Sequence, residues 1–93
     1  FVAPTETPED VRAIARRRSV DDGKIPPSDL AEYRCGDLDC MVISNGYTSD
    51  RWCFRNGQVV GRAHGTDYGE GNSAGGELPD LGTCTRKPPT KQR

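Results

Sequence analysis

The sequence predicts a small α+β domain, an antiparallel sheet of three to five strands with one N-terminal helix, stapled by two disulfides. Three observations lead to this class. "TPEDVRAIARRR" has the capping and charge pattern of a short helix, "FRNGQV" holds a hairpin signal, and four cysteines sit in a chain with few aliphatic residues. Leu, Ile, Val and Phe together make up 15 of the 93 residues. A core that small rarely holds a fold without covalent staples.

The helix is expected over residues 8–18. Thr7 can cap it, Pro8 suits the first helical position, Glu9 and Asp10 favour its positive end, and Arg16, Arg17 and Arg18 favour its negative end. Val11, Ile14 and Ala15 form a narrow apolar stripe that needs a partner surface. Triple arginine also matches a dibasic processing site of the secretory pathway, which makes residues 1–18 a candidate pro-segment. The sequence does not begin with Met, so "FVAPTETPEDV" reads as a processed or a recombinant start. Residues 19–32, with Gly23 and the Pro26-Pro27 pair, read as a linker.

Strand patterns begin at Tyr33, and a stapled β domain is expected over 33–86. Asn56-Gly57 between β-prone runs specifies a two-residue type I′ turn, which pairs Arg55 with Gln58, Phe54 with Val59 and Cys53 with Val60. A second hairpin through "NGYT" sets Cys40 opposite Cys53, Met41 opposite Trp52 and Ile43 opposite Asp50. Alternation then puts Met41, Ile43, Trp52, Phe54 and Val59 on one face, with the helix stripe expected over them. The other face receives Cys40, Val42, Arg51, Cys53, Arg55, Val60, Arg62 and His64. Tyr33–Cys35 and Thr83–Arg86 are further short strands.

Four cysteines allow three pairings. The hairpin register favours Cys40–Cys53, which leaves Cys35–Cys84 to close a long loop. Cys35–Cys53 with Cys40–Cys84 is the runner-up. Two disulfides imply an oxidising, secreted setting.

No metal and no cofactor are expected. Cys35, Cys40, Cys53 and His64 are zinc-ligand types, but C-x4-C followed by single distant ligands lacks the paired spacing of structural zinc sites. Asp37 and Asp39 are a fragment of a calcium loop, which needs six to eight oxygens, and read instead as a solvated turn. Thirteen basic and fourteen acidic residues give a net charge of −1, so no global field draws the chain to nucleic acid or an anionic membrane. No apolar run is long enough to span a bilayer, and membrane insertion is not expected.

Candidate binding residues are Arg51, Arg55, Arg62 and His64 on the exposed sheet face, where guanidinium groups can hold carboxylate, phosphate or sulfate. Tyr68 joins them from the glycine-rich stretch 65–82, which serves as a recognition loop or a disordered spacer. Charged residues on an open sheet face also meet the needs of solubility and can pair with Asp37, Asp39 or Glu32. Residues 87–93 read as a basic disordered tail.

Size, the "C…C…C…C" pattern in a hydrophilic β-rich chain, and the dibasic boundary after Arg18 resemble small cysteine-stapled secreted proteins of fungi, including effectors delivered by plant pathogens. The resemblance implies a non-catalytic binder of a host protein or, second, of a polysaccharide. A monomer is expected, and nucleic acid is not an expected partner. A protease inhibitor or small toxin is the alternative. "YRCG" is also similar to a segment of small secreted fungal ribonucleases, and His64 with Arg62, Glu32 or Glu70 could form an acid/base set of that kind. This sequence lacks their second catalytic His.

Overall fold

Thr7 opens the first element as the sequence predicts. In the computed structural model its hydroxyl accepts from the Asp10 amide, and the Asp10 carboxylate accepts from the Thr7 amide, a reciprocal capping box at the start of α1 (Pro8–Arg18). The structure describes residues 1–20, 23, 26–66 and 72–88.

Six strands follow among the described residues: β1 (Asp29–Cys35), β2 (Leu38–Ser44), β3 (Thr48–Arg55), β4 (Gln58–Thr66), β5 (Ser73–Gly76) and β6 (Thr85–Arg86). They form one antiparallel sheet in the order β5-β4-β3-β2-β1-β6, so the count exceeds the three to five expected. The additional strand is β5, an edge strand with little β-forming character of its own, while β6 falls within the strand expected over Thr83–Arg86. β5 is "SAGG", drawn from the glycine-rich stretch, and two-residue β6 returns to pair with Tyr33 and Arg34. β1 starts at Asp29, inside the expected linker, because pairing with β2 continues from Cys35↔Leu38 back to Asp29↔Ser44. Lys87, assigned to the tail, donates its amide to the Glu32 carbonyl. Tyr68, Glu70 and residues 89–93 lie outside the described residues.

The turns carry the expected signals. Asn56 and Gly57 both have positive φ, 53° and 79°, as type I′ geometry requires. β2 and β3 pair with Cys40 opposite Cys53, Met41 opposite Trp52 and Ile43 opposite Asp50. Disulfides join Cys40 to Cys53 and Cys35 to Cys84, the pairing favoured from register.

α1 covers one face of the sheet. Val11 and Ala15 bury against Met41, Ile43, Trp52, Phe54 and Val59, with Ile14 and Leu30 at the margin. Residues 1–7 extend this cover toward the far edge, where Glu6 accepts from the Trp52 indole at 2.9 Å and the Phe1 ring lies close to Gly75. Residues 1–18 thus supply the inner surface of the core, and removing them would leave Trp52 and its neighbours facing water.

The second face, expected to be open, is also covered. Between β5 and β6 the chain crosses the whole sheet as a strap, Glu77–Cys84, and seats Leu78 and Leu81 on Leu38 and the Cys40–Cys53 disulfide. The Glu77 amide donates to the Val60 carbonyl, Arg51 donates to the Pro79 carbonyl, and Leu81–Thr83 form one 3-10 turn capped by Asp80. The strap comes so near β4 that a methyl group on Gly61 would lie 1.9 Å from the Glu77 carbonyl oxygen. Gly61→Ala should therefore push the strap off the sheet and cost about 2–3 kcal/mol, the upper part of the range for overpacking. Denaturant unfolding checks this, and a loss below about 0.5 kcal/mol would show the strap to be freely adjustable.

Candidate functional site

A single extra residue redistributes the candidate side chains. β3 and β4 pair Phe54 with Val59 and Cys53 with Gly61, so Val60 is a bulge and every pair beyond it shifts by one. Cys53 is therefore opposite Gly61, where an unbulged hairpin would place Val60. Arg62 then pairs with Trp52 and His64 with Asp50, which turns both to the helix-covered face. Arg51 and Arg55 stay on the strap-covered face. The arginine face expected from strict alternation is thus divided between the two sides.

On the strap side both arginines have protein partners. Arg55 forms ion pairs with Asp37 at 2.8 Å and Glu77 at 2.6 Å. These bonds keep both carboxyls below their ordinary range and raise the Arg55 guanidinium further. Asp39, the other acid of the turn region, pairs with Arg34 and Lys87. Among the described residues the strap ends in a disulfide and is bound along its length.

On the helix side, Asp50 collects two guanidinium groups and an imidazole. Its Oδ1 accepts from Arg62 Nη2 at 2.7 Å and lies 2.9 Å from His64 Nδ1, while Oδ2 accepts from Arg18 Nη1 at 3.0 Å. The Asp50 side chain is only 8% exposed. Burial alone would favour its neutral form, but the bonds from Arg62, His64 and Arg18 outweigh burial and hold the carboxyl below its usual range. A carboxylate only accepts, so His64 Nδ1 carries the proton and Nε2 is left for another partner. Arg62 is fixed further by its position over the Trp52 ring, 4.1 Å from the centroid, and by bonds to the Arg51 and Ala63 carbonyls.

A cleft of ≈430 Å³ opens beside this cluster, at the C-terminal end of α1. Arg17, Arg18 and His64 line it together with Asp50, and Ser28, Asn45 and Thr48 add polar groups. Arg17 makes no ion pair among the described residues. Asp50 is thus outnumbered, and the cleft's described residues carry a net positive charge. A larger opening, ≈680 Å³, lies between α1 and β1, but there Arg12 is already bound to Glu9 and Glu32, and Lys87 to Asp39.

Of the sequence candidates, the structure joins Arg62 and His64 and separates them from Arg51 and Arg55. It adds Asp50, Arg17 and Arg18, which motif reading passes over. One signal for Asp50 was available: the register that sets Ile43 opposite Asp50 puts a carboxylate on the apolar face, where it requires partners. Neither a family model, nor a curated protein, nor a solved structure matches this chain.

Proposed function

We propose that this chain is a secreted, monomeric binding protein of effector type that recognises a host protein or polysaccharide without catalysis. Two disulfides in a small domain, with no described helix long and apolar enough to cross a membrane, are consistent with an extracellular setting. The observation that carries the proposal is the cationic cleft. Its one buried carboxylate is held ionised by three partners and cannot readily take up a proton, so the unused capacity of the cleft lies in donors for an anionic or polar ligand. Affinity capture from plant extract tests the reading. Wild-type protein and Arg51→Glu should retain the same partner, and Arg17→Glu should lose it; retention by Arg17→Glu would remove the cleft from consideration.

The ribonuclease alternative is favoured by one observation, the 2.9 Å contact that orients His64 against Asp50. Acid/base cleavage needs a second proton-transfer group, and His64 is the only histidine in the chain. RNA hydrolysis that is sustained by the wild type and abolished by His64→Ala would replace the binding reading with this one.

A further inference from the structure

We infer that the cleft at the C-terminal end of α1 binds an acidic sugar, a pyranose bearing a carboxylate or a sulfate. This rests on the binding reading above and specifies its ligand. Charge selects the anion. Among the described residues Arg17 has no protein partner and Arg18 uses only Nη1, on Asp50, which leaves its other N–H groups for a ligand oxygen. His64 Nε2 offers a further polar contact. The ligand need not displace Asp50, because that carboxylate organises the cations from behind.

Volume and lining select the sugar. At ≈430 Å³ the cleft lies within the size range of small-molecule sites and far exceeds a bare ion. Its wall mixes Ser28, Asn45 and Thr48 with apolar Val20 and Pro26. A pyranose presents hydroxyl groups around its edge and C–H groups on its faces, so it can use both kinds of wall. Tyr47, 53% exposed, sits between two lining residues, Asn45 and Thr48, at the tip of the β2–β3 hairpin, outside the cleft itself and open to a saccharide that extends beyond it. Asn45 fixes that tip, because its Oδ1 accepts from the amides of Tyr47 and Thr48 at 2.9 and 2.8 Å. Single-stranded RNA, by contrast, requires several stacking aromatics along a basic track. The tryptophan here is buried beneath Arg62.

Titration calorimetry of the full, disulfide-intact chain tests the assignment with four probes: a trigalacturonate, a heparin-derived tetrasaccharide, neutral maltotriose and a short oligouridylate. Arg17→Glu and Tyr47→Ala are exposed changes that leave the core intact, which the fluorescence of Trp52 verifies. At least one acidic saccharide should bind, and the one that binds separates carboxylate from sulfate as the anionic group. Maltotriose should not bind. Arg17→Glu should weaken the acidic saccharide roughly tenfold or more, as expected for loss of a charge-assisted contact, and Tyr47→Ala should weaken it roughly threefold. Equal binding of maltotriose, binding of the RNA alone, or acidic-sugar affinity unchanged in both variants would overturn the assignment. If no saccharide binds while Arg17→Glu still loses the captured plant partner, the sugar assignment falls and the cleft's binding role stands.

Discussion

Asp50→Asn is expected to lower the unfolding free energy by about 3 kcal/mol at neutral pH, the low end of the range for removing one partner from a buried ionic cluster. Asn keeps the shape and one acceptor oxygen but leaves Arg18 and Arg62 without a counter-charge and His64 without its carboxylate partner. The low end applies because Arg18 and His64 are nearly half exposed and water compensates part of the loss. The pH dependence has a definite sign. The folded-state carboxyl lies below its unfolded value, so its stabilisation is present above the unfolded value near pH ~4 and is lost as pH falls through the folded one. Denaturant melts of both proteins from pH 7 to 2 should show a gap that narrows below about pH 4. A gap that is constant with pH would mean that the carboxylate's charge is not what stabilises the cluster.

Removing the Cys35–Cys84 disulfide should cost more than that. For a sequence separation of 49, loss of loop closure corresponds to about 4 kcal/mol, against about 3 kcal/mol for the separation of 13 at Cys40–Cys53. The Cys35→Ala/Cys84→Ala double variant should release β6 and the end of the strap, with faster amide exchange over residues 77–86. Mild reductant should reach the same bond first, because Cys35 and Cys84 are half-buried while Cys40 and Cys53 are fully buried. A double variant less than about 1 kcal/mol below wild type would indicate that Leu78, Leu81 and the Arg51 and Arg55 contacts hold the strap without the staple.

Much of this fold is legible in the chain where local chemistry decides structure. Thr7-Pro8 followed by acids and closed by arginines specifies α1, Asn56-Gly57 specifies a turn type, and the turn sets the register that brings Cys40 to Cys53. What is not legible depends on distant neighbours. Val60 is an ordinary β-forming residue, and its role as a bulge is tied to Gly61, which must pair with Cys53 to let the strap approach. "DLAE" and "SAGG" have weak strand character and become strands because β2 and β4 offer unpaired edges. Leu78 and Leu81 are isolated apolar residues in a polar stretch, and nothing local tells which face they cover. The cleft follows from the bulge: without it, Arg62 and His64 face away from Arg18 and Asp50.

Both covers of the sheet come from the ends of the chain, α1 from one and the strap from the other, while the middle is a meander in which each strand meets its sequence neighbour. Closing a longer loop costs more entropy, and contacts between neighbours form at the lowest cost. The β2–β3 hairpin, with its cysteines 13 residues apart, can thus assemble from nearby segments, whereas the strap must search across 49 residues to reach Cys35. In kinetic terms, the strap is placed to close late, after the meander has made the surface on which it lies.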